Sequence, residues 1–212
     1  MKRIVKTAAE RREEIVRTAG ALFAERGYGA VSVESIIRQI GIAKGTFYHH
    51  FPSKEAVLEA LVETTLDGMI AAAEQVVADP SLDALTKMAA LLGNNASDPD
   101  AEKEAIVHSL HLPTNRELHE RTNLRTILRL SPLLARIVEQ GNTEGVWDVH
   151  RPLETVQLLL SGSQCLLDGG LFVWSEAERV ARLEALQAMI ERTLGAERGS
   201  FGFITAKGAH HV

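Results

Sequence analysis

Residues 41–61 read GIAKGTFYHHFPSKEAVLEAL, and this window decides the fold. Gly41 and Pro52 punctuate it. Glycine admits the left-handed conformation that stops a helix, and proline removes a donor and pushes the preceding residue out of helical geometry. Between them, Ala43 to His50 suits a two-turn helix carrying Lys44, Gly45, Thr46, Tyr48 and His49 in place of a long apolar stripe. Such a helix is a poor core element. After the proline, Ser53 stands as an N-cap, and Leu58, Leu61, Val62, Leu66, Met69, Ala73 and Val77 predict a long amphipathic helix from Lys54 to about Ala78.

Upstream, Ser32 stands where an N-cap is wanted and Glu34 lies in the first turn; Val33, Ile36, Ile37 and Ile40 then form an i, i+3, i+4, i+7 stripe that ends at Gly41. Ile15, Val16, Ala19, Leu22 and Phe23 give an earlier helix, Ala8 to Arg26, one apolar face. Downstream, the periodicity predicts helices at about 82–92, 102–111, 116–140, 153–172 and 176–194, with a loop at GNNASDPD, residues 93–100. The segment after Gly195 has no period and is expected to fray. No sustained period-two alternation argues for strands, so the expected class is all-α.

The composition, 45% hydrophobic and 24% charged over 212 residues, is that of a globular protein. No apolar run approaches the roughly 20 residues of a membrane span, and MKRIVKTAAERREE lacks the apolar core of a secretory signal. The lone Cys165 has no partner for an internal disulfide and is expected as a small buried hydrophobe. These features predict a cytoplasmic protein with no membrane association. Charge is unevenly spread: residues 1–54 hold ten Lys/Arg against five Asp/Glu, whereas the remainder holds 13 against 23. A basic N-terminal quarter on an acidic body suggests a polyanion partner for the first part only.

Two short helices joined at Gly41-Ile42 fit an ordinary α-hairpin or a helix-turn-helix, whose second helix lies in the DNA major groove; the small and polar residues of the second helix favour the latter. The window, with the preceding SVESIIRQI and the upstream IVRTAGALFAERGY, resembles the DNA-binding domain of the TetR family of one-component transcriptional repressors over about residues 11–65. That resemblance implies a three-helix head at residues 1–54 and a helical effector-binding and dimerisation body at 55–195, with 196–212 as a flexible tail. It also implies double-stranded DNA and a small-molecule effector as partners. Carried onto this motif, Lys44, Gly45, Thr46, Tyr48 and His49 face the groove and its phosphates, while Phe47 and Phe51 pack inward. Lys54 offers its ammonium and helix N-terminus to a phosphate, and Ser32 does the same one helix earlier. One departure is Ala43, where the family commonly has Ser or Thr as cap and phosphate contact. Arg38, an exposed cation on the bracing helix, is a candidate replacement.

In the body, SGSQCLLDGG brings Ser161, Gly162, Ser163, Gly169 and Gly170 together, small residues that let another helix approach; Leu183, Leu186, Ile190 and Leu194 form a stripe on the last helix. Paired with their two-fold mates, these two helices would make a four-helix homodimer interface; the alternative assigns both stripes to the monomer's own core. Candidate effector contacts are His108, His111, Asn123, Trp147 and Gln164, although Trp147 also suits closure of an interhelical turn. His108 and His111, spaced i, i+3, with His119 as a third ligand, raise a second reading as an all-α metal-dependent enzyme or metal sensor. No nucleophile elbow, P-loop or HExxH accompanies them. The leading expectation is a ligand-responsive dimeric repressor, without catalytic residues, bound metal or cofactor; the TetR resemblance implies release from a palindromic operator when a ligand moves the fourth helix as a lever.

Overall fold

The structure, a computed structural model, describes residues 6–93 and 101–206, and among these every regular element is a helix. The expected loop at 93–100 lies almost wholly outside them. The chain forms two compact units, with boundaries between Asp67 and Gly68 and between His119 and Glu120.

The first unit begins with α1 (Ala8–Arg26), opened by a reciprocal cap: the Glu10 amide donates to the Thr7 hydroxyl and the Thr7 amide to the Glu10 carboxylate, at 3.2 and 2.7 Å. A 3-10 turn (Tyr28–Ala30) leads to α2 (Val33–Ile40), whose cap is a Ser32–Ser35 exchange. Gly41 ends α2 in the left-handed region, φ 76° and ψ 36°, which a residue with a Cβ enters only at a cost. Next comes α3 (Lys44–His50), and then α4 (Lys54–Ala78), whose first part lies in this unit. The core joins Ile15, Phe23, Ile36, Phe47, Phe51, Val57 and Leu58 to Ile106 and Leu110 of α6 (Ala101–Leu110) and to Leu118 at the start of α7 (Arg116–Glu144). Each such side chain contributes roughly 1.5–3 kcal/mol by leaving water. The expected boundary at residue 54 thus differs from the structural one, because the apolar face of early α4 and the distant α6 both complete the head's core.

The second unit contains the remainder of α4 and α7 with α5 (Ala84–Leu92), α8 (Pro152–Leu167), α9 (Glu176–Leu194) and α10 (Phe203–Ala206). Buried Lys87 donates to Val77 O at 2.8 Å and to Gln140 Oε1 at 2.9 Å, placing a cation at the carbonyl end of α4, where the helix dipole favours it. α8 is shorter than its apolar pattern suggests. The Asp168 carboxylate accepts the Gly170 amide at 2.8 Å, and this side-chain turn with the glycine pair ends the helix at Leu167. Leu183, Ile190 and Leu194 of α9 are buried within the single chain, so that stripe serves the monomer's own core. Cys165, expected to be buried, is exposed.

The segment after Gly195 is packed as far as Ala206, in contrast to the fraying expected of it. Phe201 is fully buried against Trp147, ring centroids 5.9 Å apart, and its amide donates to buried Glu191 at 3.2 Å. Burial pushes the Glu191 carboxyl up, but donors from Gln187, Gly199 and Phe201 outweigh it and hold the group below its ordinary range. Residues 207–212 lie outside the described part.

Trp147 itself packs against Gly141, where an added Cβ would come within 2.1 Å of its ring. Gly141→Ala is therefore expected to destabilise the protein by about 1–3 kcal/mol through overpacking. Chemical denaturation would read this as a lower midpoint, whereas Gly68→Ala, exposed inside α4 with open space around it, should raise the midpoint by the roughly 0.5–1 kcal/mol that alanine gains over glycine in a helix interior.

Candidate nucleic-acid interface

α3 has only seven residues and begins at Ala43, which makes no side-chain cap bond. Isolated helices of this length do not persist in water. Its inward face supplies the anchor: Phe47 is fully buried and Phe51, just past its end, is 3% exposed, the two centroids 6.3 Å apart. With those rings inside, Lys44, Gly45, Tyr48 and His49 are exposed and Thr46 is half-buried. Nothing lies within 4 Å of a Cβ placed on Gly45, so the protein's own packing does not require glycine there. What the missing side chain leaves is room for a second molecule.

The cations differ in commitment. Lys44 Nζ is 3.6 Å from Glu34 Oε1, with both side chains more than 60% exposed, and 5.8 Å from the Tyr48 ring centroid. An exposed pair of this kind is worth about 0–1 kcal/mol and yields readily to a phosphate. Arg38, in the last turn of α2, is exposed. Ser32 is exposed too, and its oxygen accepts the Ser35 amide at 3.2 Å, which leaves its hydroxyl proton for another acceptor.

Lys54 corrects an expectation. Its ammonium does not project outward; it donates to the carbonyls of Tyr28 and Val31, both at 2.9 Å, and sits 4.0 Å above the Tyr28 ring. Burial lowers its pKa, with Glu55 opposing that shift. Tyr28 is buried, and its hydroxyl, raised in pKa by that burial and by Glu55, donates to Glu55 Oε1 at 3.3 Å. The Glu55 carboxyl is held low first by its own backbone N–H and then by the Ser53 hydroxyl. Tyr28, Lys54 and Glu55 therefore pin the start of α4 to the turn before α2, while Ser53 and Glu55 already cap its first amides. Period alone does not reveal the role of Tyr28; a lone aromatic after the α1 stop was the available signal.

The residues considered for an effector or a metal are dispersed. Asn123 and Gln164 do meet: Gln164 Nε2 donates to Asn123 Oδ1 at 3.2 Å, and Asn123 Nδ2 donates to Asp168 at 2.9 Å. Trp147 is occupied by its packing on Gly141 and Phe201. His111 and His119 have ring centroids 5.0 Å apart, but His108 is exposed and, among the described residues, joins no group of three ligand-bearing side chains. The His108/His111/His119 metal triad is thus not assembled, because the spacing that aligns residues on one helix is broken by the turn at residues 111–115.

Residues 15–61 match the family model of the tetR family of bacterial regulatory proteins, and residues 100–189 match the tetracyclin repressor-like C-terminal domain. The chain is 32% identical over 139 residues to the HTH-type transcriptional repressor KstR2 of Rhodococcus jostii (strain RHA1), covering 64% of this chain and 67% of that relative. Against KstR2 of Mycobacterium tuberculosis (strain CDC 1551 / Oshkosh) it is 39% identical over 77 residues, 36% of this chain and 38% of the relative. A TetR-family transcriptional regulator from Pectobacterium atrosepticum aligns with a TM-score of 0.67 at 23% identity, over 91% of this chain and 100% of the other. RolR in complex with resorcinol aligns at 0.62 and 19%, over 97% and 95%. At these identities the structural likeness speaks for the fold alone.

Two substitutions test the local physics. Ala43→Ser, supplying the absent cap, should raise stability by about 0.5–2 kcal/mol, read as a higher denaturation midpoint. Lys54→Met, which keeps the stem and removes the donor to two carbonyls, should lower stability by about 1–3 kcal/mol; an unchanged midpoint would show the pin to be idle.

Proposed function

Because the chain belongs to the TetR family of bacterial regulatory proteins, ligand-responsive DNA-binding regulators of transcription, we propose that its α3 reads a palindromic operator and that a small molecule releases it. The observation carrying this reading is the outward set Lys44, Gly45, Tyr48 and His49 on a helix whose inward aromatics are buried. Lys44 meets a phosphate, Gly45 and Thr46 allow close approach, and Tyr48 and His49 touch base edges or sugars, with Ser32, Arg38 and the α4 N-terminus flanking them. The chain acts by binding rather than catalysis, in the cytoplasm where the DNA is.

Two recognition helices must stand about 34–36 Å apart to enter successive major grooves, which calls for a two-fold dimer. Its interface uses the outward faces of α8 and α9. Leu158, 76% exposed, lies with Ser161, Gly162 and Cys165 on α8, and Ala181, Ala185 and Met189 are exposed on α9. Small residues beside a bare leucine suit close helix packing. The effector site in the body involves the Asn123–Gln164–Asp168 chain, polar groups among the apolar residues of α7 and α8. A ligand there biases the head through α4 and α7, both of which run without interruption from one unit into the other.

Selection from a random DNA pool should return inverted repeats with half-sites one helical turn apart. Lys44→Ala with His49→Ala should abolish that preference while leaving the fold intact by circular dichroism. Leu158→Glu should sediment as a monomer and lose tight operator binding; a pool without inverted repeats, or a Leu158→Glu dimer, would sink the reading.

A further inference from the structure

Arg12 lies ahead of residues 15–61, the stretch matched to the family's DNA-binding model, so that match gives it no role. It is exposed on α1, and its guanidinium carbon stands 4.8 Å from the centroid of Phe51, the ring that anchors the end of α3. Its neighbour Arg11 is committed to Glu14, which also holds Lys6. Arg12 makes no ion pair among the described residues. It faces a cationic edge instead: His50, half-buried at the last turn of α3, is held below the usual histidine range by burial first and then by His49, Arg11 and Arg12. The rings of His49 and His50 meet edge to face at 5.1 Å, and Arg12 is close enough to His50 to act on its charge, so His49, His50 and Arg12 lie near one another at the end of α3.

An unpaired guanidinium crowded by other potential cations is an unfavourable arrangement for the free protein, and one that a polyanion relieves. A guanidinium held 4.8 Å from a buried ring and still exposed keeps its N–H donors available, and a planar guanidinium suits bidentate capture of a phosphate. We propose that Arg12 is a DNA-phosphate contact that extends the operator face from α3 onto α1, with Phe51 as its platform. This rests on the reading of α3 as the recognition helix.

The test uses the full-length protein and an operator recovered by selection, with binding followed by fluorescence anisotropy across a KCl series. Arg12→Met keeps the aliphatic packing over Phe51 and removes the charge. It should flatten the slope of log K against log salt by about 0.9 per half-site and weaken binding about eightfold per half-site at 0.1 M salt, equally for specific and random DNA. Arg12→Lys should retain the slope. Phosphate ethylation interference supplies a second readout: one outlying phosphate in each half-site should weaken binding when ethylated in the wild type but not in Arg12→Met, which separates it from phosphates held by Ser32, Arg38 and the α4 N-terminus. A wild-type slope in a folded Arg12→Met, or no such outlying phosphate, overturns the role of Arg12 while leaving the recognition helix standing. Failure of the wild type to bind any selected operator would instead remove the reading on which it rests.

Discussion

The burial of two phenylalanines on the inner side of a seven-residue helix is the constraint on which the rest depends. Locally, α3 has little to hold it: an uncapped start costs about 0.5–2 kcal/mol and an internal glycine about 1 kcal/mol relative to alanine. Phe47 and Phe51 offset this, at roughly 1.5–3 kcal/mol each, through a core that also takes Ile15 and Phe23 from α1, Ile36 from α2 and Val57 and Leu58 from α4. The helix exists because the core claims one face of it. That claim also determines which side chains are presented outward, since seven residues leave no other rotation that hides both rings.

Two lysines from the same window show what a sequence does and does not reveal. Lys44 and Lys54 are each one residue into a helix, and both resemble phosphate contacts on paper. Lys44 has only an exposed glutamate at 3.6 Å, a partner it can exchange for a phosphate at little cost. Lys54 reaches back more than twenty residues to two carbonyls and a ring. Their difference is tertiary. It depends on where the turn at Tyr28–Ala30 lies in space, which no spacing rule encodes.

Elsewhere, legibility follows the same division between local and distant causes. The α1 and α2 boundaries were readable because Ser32, Gly27 and Gly41 act on their own neighbours, and the buried faces followed from the 3.6 period. The end of α8 was not readable from period, since the apolar pattern continues to Phe172 while the Asp168 side chain turns the backbone at Gly170. The strap after Gly195 was missed for a related reason. Phe201 and Ile204 are anchored by Trp147 and Glu191, contacts too irregular to appear as a stripe. The α9 leucines show the limit of a stripe: it says that a face is buried, and only the packed chain says against what.

The same logic bears on how a body could govern a head. Ile106 and Leu110 belong to a helix flanked in sequence by the second unit, yet they complete the core that holds Phe47. At the end of that segment, buried Asn115 donates to Ser109 O at 2.7 Å, and the Tyr28 hydroxyl of the same core donates to Glu55 at the start of α4. The core beneath α3 is therefore not built from the head's own sequence alone. A displacement of α6 of a fraction of an ångström must be absorbed by a close-packed core or passed to the rings beneath α3, because such cores deform poorly. α4 and α7 run unbroken out of the same unit, so the core that turns Lys44, Tyr48 and His49 outward is joined through continuous helices to the rest of the chain.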